Sequence, residues 1–150
     1  MTADFIGTLQ LQERRGYPRQ FIVMEDFGFC SSQGYMFRVC CGDVIDGGSH
    51  PWWMRRWLGH PYASRFRLSF AVHDGEYVHA QTTGHTKDSV DQALRESMIL
   101  EATMQSEPED ARRIAKLVYY GLKYARAAHE AWASVDETAI DELAIKEPVE

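Results

Sequence analysis

Along the first 45 residues, apolar and polar side chains alternate in short runs. Phe5-Ile6-Gly7-Thr8-Leu9-Gln10-Leu11-Gln12 ends in strict alternation. Arg19-Gln20-Phe21-Ile22-Val23-Met24-Glu25 follows a Gly16-Tyr17-Pro18 break. Tyr35-Met36-Phe37-Arg38-Val39-Cys40-Cys41 follows the turn-forming Ser31-Ser32-Gln33-Gly34. Short runs rich in aromatic and β-branched residues, punctuated by glycine, predict antiparallel strands. Phe21, Val23, Phe37 and Val39 fall on one face, so the sheet needs a cover.

The pattern then changes. Residues 42–64 carry the breakers Asp43, Asp46, Gly47, Gly48, Pro51, Gly59 and Pro61, and predict an irregular middle with one helical turn near Trp52–Leu58. Residues 65–80 are apolar and fit strand or helix; helix over Arg67–His73 is the preferred reading. A further helix is predicted over about Asp88–Gln105, with Thr86 or Asp88 as N-cap. Val90, Leu94, Ser97, Met98, Glu101 and Met104 trace its incomplete stripe. The clearest pattern comes last. Ser106, Pro108 and Glu109 form a capping box with proline just inside the helix start. Ile114, Leu117, Val118, Gly121, Leu122, Ala125, Ala128 and Trp132 then recur at three and four. A glycine on that stripe costs ~1 kcal/mol of helix propensity and predicts a close contact at Gly121. The expected architecture is α+β. A small N-terminal antiparallel sheet and an irregular Trp/Arg-rich middle precede two C-terminal helices packed on the sheet, helix 109–132 being its cover. Residues 1–133 form the single domain and 134–150 an acidic tail.

Composition agrees with one ordinary globular domain: 150 residues, 45% hydrophobic and 25% charged. A chain of this size needs no disulfide or metal for stability. No apolar run approaches ~18 residues, so no membrane span is expected. The N-terminus lacks a basic region followed by an apolar one, so no secretory signal is expected there and the expected setting is intracellular. The net charge of −6 is uneven. Residues 134–150 hold six acids and Lys146, hence −5, which leaves −1 for the body. Arg55, Arg56, Arg65 and Arg67 stand in a stretch with no acid. Cys30, Cys40 and Cys41 include no CxxC. They read as small buried or edge thiols in a reducing compartment, with an intermolecular bridge as the alternative.

Candidate chemistry concentrates in Asp43, Asp46, Ser49, His50, His60, His73-Asp74, His79, His85, Asp88 and Asp91. Histidine and aspartate bind divalent metals or move protons near neutral pH. Leu68-Ser69-Phe70-Ala71-Val72 leads into His73-Asp74, so the pair is expected to be buried and bonded near Asp46 or Ser49. A structural role is the alternative, with Asp74 capping the turn before Gly75. No P-loop, GxSxG or HExxH occurs, and Gly47-Gly48-Ser49 reads as a turn. A split His…His-Asp…Asp metal phosphohydrolase pattern is rejected, because that fold is all helical. Trp52, Trp53 and Trp57 interleave with the four arginines. That mixture suits a protein interface, single-stranded nucleic acid, or aromatics folded back onto the core.

Several motifs occur in a definite order: Asp46-Gly47-Gly48-Ser49-His50-Pro51, the tryptophans, His73-Asp74 with Tyr77, then Asp91 with Met98, and Tyr119-Tyr120-Gly121. In this order the chain resembles, over about residues 5–133, a family of short phage and prophage proteins catalogued only as domain of unknown function thirteen fifty-three. Ile45 and Trp52 stand where that family usually has threonine and arginine. The resemblance implies a phage origin, interest in Asp46, Ser49, Pro51, His73, Asp74, Tyr77 and Asp91, and no particular activity. The leading expectation is a phage structural or assembly component, virion- or tail-associated. It would work in the host cytoplasm during assembly and contact other phage proteins or copies of itself through Trp52, Trp53, Arg55, Arg56, Trp57, Arg65 and Arg67, without a cofactor. The alternative is a small metal-assisted hydrolase with a lysis or anti-defence role. In it His73, Asp74 and Asp46 would hold a divalent ion, with Ser49 and Asp91 as further catalytic candidates. Nucleic-acid binding is the weaker third reading.

Overall fold

The computed structural model describes residues 2–17, 20–45, 66–80, 82–104 and 108–124. Alternation builds two three-stranded antiparallel sheets from β1 (Asp4–Ile6), β2 (Leu11–Glu13), β3 (Phe21–Val23), β4 (Phe27–Cys30), β5 (Met36–Val39) and β6 (Val44–Ile45). One sheet has the order β1-β4-β5 and the other β2-β3-β6. The run Phe5–Gln12, read as one strand, is divided between them: Phe5 pairs with Phe29 and Leu11 with Val23. β4 lies at the centre of its sheet yet was not expected. It holds Gly28 between Phe27 and Phe29, which weakens its strand pattern. The expected turn before β5 is present; Gly34 supplies φ +86° and its N–H donates to Ser31 O at 2.9 Å. Phe27 faces Val39 across the pair and Phe29 faces Phe37. These four, with Val23 and Ile45, are buried; Phe21 is half-buried.

Three helices follow: α1 (Arg67–Val78), α2 (Lys87–Thr103) and α3 (Pro108–Tyr124). α1 continues five residues past the expected end at His73, so His73-Asp74 sits in mid-helix. Nine consecutive residues, Ser69 to Tyr77, are buried. A helix enclosed on all sides shows no amphipathic stripe, which is why this segment was ambiguous. α1 is also the sheet's cover, resting on β4, β5 and β6. α2 packs on α1 and touches β1, and α3 packs on α2. The most regularly striped helix therefore covers another helix. A close approach falls at Gly75. A Cβ on Gly75 would stand 2.5 Å from Val39 Cβ and 2.6 Å from Val39 Cα. Gly121 is half-buried.

Thr86, one of the two expected caps, starts α2; its hydroxyl accepts from Ser89 N at 3.1 Å. Val90, Leu94, Ser97, Met98 and Glu101 are buried as the stripe required, and Met104 is exposed. Leu117, on the expected buried stripe of α3, is exposed as well. The Ser106 cap, the turn near Trp52–Leu58, residues 125–132 and the tail lie outside the described residues. Among the described residues, no helix is long and apolar enough to cross a membrane.

Candidate functional site

α1 carries two histidine–aspartate pairs on different faces. His73 points to α2, where its Nε2 donates to Asp91 Oδ1 at 2.9 Å. Tyr77, one turn later, donates its hydroxyl to the same oxygen at 3.1 Å and packs its ring 4.4 Å from the imidazole. Lys87 Nζ donates to Asp91 Oδ2 at 2.6 Å and to Leu122 O near the end of α3 at 2.7 Å. Asp91 thus joins all three helices. Burial raises its carboxyl pKa, but hydrogen bonds and charge from His73 and Lys87 outweigh that and hold it below the usual carboxylate range. Burial and the Asp91 carboxylate together push the Tyr77 phenol well above its ordinary pKa.

The second pair lies at the C-terminal end of α1. His79, the helix C-cap, donates from Nε2 to Asp43 Oδ1 at 2.7 Å. Asp43 Oδ2 accepts the Cys40 backbone N–H at 2.7 Å. The Asp43 bond raises the His79 pKa, against partial burial. The Cys40 thiol stands beside this pair. Burial raises its pKa, and the carboxylates of Asp43, Asp26 and Glu76 raise it further. Among the described residues, Cys40, Asp43 and His79 are the one group of three metal-ligating side chains whose donor atoms lie within 4.8 Å of one another.

Two other buried carboxylates are structural in their contacts. Glu76 accepts Arg38 N at 2.7 Å and His85 Nδ1 at 3.0 Å, tying α1 to β5 and to the loop before α2. Glu101 accepts from Ser69 N, Ser69 Oγ and Leu68 N at 3.0, 2.8 and 3.1 Å. It caps α1 from α2, where Phe66 at the N-cap offers no side-chain acceptor. That explains a glutamate within the buried stripe of α2; Ser97 on the same stripe donates its hydroxyl to Leu94 O at 2.9 Å.

The structure brings His73, Tyr77 and Asp91 together. Asp74 is buried on the same helix, but consecutive helical positions diverge by about 100°, so it does not share the orientation of His73. Asp46 and Ser49, expected beside this pair, lie outside the described residues, as do Trp52, Trp53, Arg55, Arg56, Trp57 and Arg65. Arg67 is exposed at the start of α1. The void bordered by Phe37, His73, Glu76 and Ser97 admits no more than about one water. An open cleft lined by Glu13, Arg14, Tyr17 and Gln20 shares no residue with either pair. Sequence reading placed Asp43 and His79 in the polar cluster but treated Cys40 as a bland thiol. The available signal was the three-residue step from Cys40 to Asp43 around Gly42, which lets an aspartate bond back to the start of its own turn.

Compared with protein-family models, curated proteins and solved structures, the chain matches none.

Proposed function

We propose that the chain is a non-catalytic assembly component, which builds contacts between protein subunits of phage type. The observation that carries this is the outward row of α3. Leu117, Tyr120 and Tyr124, spaced at three and four, are exposed by 56%, 41% and 73%. Tyr120 and Tyr124 stack at 6.2 Å with their planes 6° apart. Arg112, Arg113, Lys116 and Lys123 are exposed on the same helix. Tyrosine and arginine are common interface anchors, and a row of exposed apolar side chains flanked by cations fits an acidic, partly apolar partner. Residues 134–150 have that chemistry, with charge −5 and Ile140, Leu143 and Ile145. The partner committed to is this segment on a second copy. The motif resemblance ties the reading to phage proteins. The His73–Asp91 pair offers no substrate position, because both Asp91 oxygens already accept from three protein donors.

Sedimentation equilibrium of the full chain tests this. The expected result is self-association that weakens with salt, because salt screens the attraction between opposite charges. Tyr120→Glu with Tyr124→Glu should leave a folded monomer, and so should deletion of 134–150. A full-length protein that stays monomeric at high concentration and low salt contradicts the reading.

A further inference from the structure

The corner formed by Cys40, Asp43 and His79 joins two parts of the fold, the turn between β5 and β6 and the end of α1. Cys40 follows β5, Asp43 precedes β6, and His79 ends α1. The reverse turn between them is fixed: Asp43 N donates to Cys40 O at 3.0 Å, and Cys40 N donates to Asp43 Oδ2 at 2.7 Å. Gly75 holds α1 against Val39, the residue before Cys40, and so fixes where His79 emerges. The corner is half open. Cys40 and His79 are partly exposed, whereas Asp43 is buried at its edge.

We infer that Cys40 Sγ, Asp43 Oδ1 and His79 Nε2 form a binding site for a zinc-type divalent cation, with a fourth position left to solvent. The donor set selects the metal class. Thiolate and imidazole favour zinc and its neighbours, whereas magnesium and calcium take oxygen ligands. Local charge favours a cation. Asp26 reaches this turn through Cys41 N at 2.7 Å, and Glu76 lies on the adjoining turn of α1, bonded to Arg38 N of β5. Arg38 is the opposing cation, an exposed side chain on β5. The carbonyl end of α1 adds partial negative charge at His79. Asp43 is preset as a ligand, because its second oxygen is occupied by the backbone that also carries Cys40; such orienting bonds are what tune metal affinity.

The geometry needs one small change. Ligand atoms around tetrahedral zinc stand about 3.3–3.8 Å apart, so His79 Nε2 and Asp43 Oδ1 must separate from their present 2.7 Å. The cation takes the place of the Nε2 proton; the ring keeps one proton, on Nδ1, and a second, if the ring is charged, leaves to solvent. Binding also releases the Cys40 thiol proton as the sulfur–metal bond forms, so affinity rises with pH. No electron transfer is involved. This inference is independent of the assembly reading, since none of its residues lies on α3.

The test is titration of the reduced full chain with cobalt(II), followed by zinc. A thiolate-to-cobalt charge-transfer band should appear at one equivalent and vanish when zinc is added. Cys40→Ser should abolish the band, while Cys30→Ser and Cys41→Ala keep it. His79→Gln should weaken cobalt binding more than about tenfold, since even residues that only orient ligands cost about 10–100-fold. Asp43→Asn separates ligation from folding: it retains an acceptor for Cys40 N and should bind metal more weakly at an unchanged circular dichroism spectrum. Absence of the band, or a band that survives Cys40→Ser or is indifferent to His79→Gln, overturns the site.

Discussion

His73–Asp91 and His79–Asp43 are the same two side chains joined from the same helix, yet they end in opposite situations. The side chains of the first pair are 2% and 1% exposed, those of the second 24% and 9%. Asp91 is saturated by a histidine, a tyrosine and a lysine from within the fold. Asp43 spends one oxygen on a backbone N–H and keeps the other at an open corner beside a thiol. The first pair acts as a joint between helices; the second is placed to exchange its proton for a cation. Enclosure, not residue type, separates the two.

The sharpest way to break this comparison is to remove each aspartate in turn. Asp91→Ala leaves the buried His73 and the half-buried Lys87 without their carboxylate. It should cost about 3–5 kcal/mol, or a melting temperature lower by roughly 10 °C or more. Asp43→Ala leaves His79 and Cys40 N within reach of water and should cost about 1–2 kcal/mol. Equal losses in thermal unfolding would mean that both pairs are joints.

A comparable effect is expected from Gly75→Ala. Helix propensity gains about 1 kcal/mol, but the new methyl group meets Val39 Cα and Cβ, and overpacking of this kind costs about 1–3 kcal/mol. Val39→Ala should give little rescue, because it removes Cγ2 at 2.7 Å but leaves the closer Cβ and Cα in place. Displacement of α1 from β5 acts on the His79–Asp43 corner and leaves the α1–α2 side, with His73 and Asp91, in register. Weaker cobalt binding with an unchanged Asp91 network is the expected signature.

The pH dependence sharpens the view of the enclosed region. Asp91 has a lowered folded-state pKa, so its stabilisation is complete above the ordinary carboxylate range and is lost as pH falls through the folded value. Glu101 is the reverse. Burial raises its pKa against the Ser69 and Leu68 donors, so its contribution is complete below the ordinary range and lost as pH rises through the folded value. Glu101→Gln should therefore remove a decline in unfolding free energy that sets in as pH rises above the ordinary carboxylate range and retain the acid loss due to Asp91. Parallel curves for the two proteins would contradict the assignment.

The sequence made α+β legible because alternation in β3 and β5 and the regular repeat of α3 are each local signals. The division of Phe5–Gln12 between two sheets was not legible, since pairing partners are set by distant residues. Nor was the length of α1: a helix buried on every side carries no stripe, and Gly75 reads as a break until Val39 is seen against it. The polar cluster could be found by composition, and His73 and Asp91 were both among its candidates. Their partners could not be assigned. Lys87 and Tyr77 reach Asp91 through helix spacing and α1–α2 packing, and the Cys40–His79 approach depends on where β5 meets the end of α1.

The most direct test of the two-pair distinction is an imidazole ¹H–¹⁵N spectrum of the reduced full chain, recorded without and with one equivalent of zinc. The expected result is a large shift of the His79 ring nitrogens on addition of zinc, with those of His73 unchanged. Zinc-dependent shifts at His73, or an unmoved His79, would contradict the division into a sealed joint and an open site.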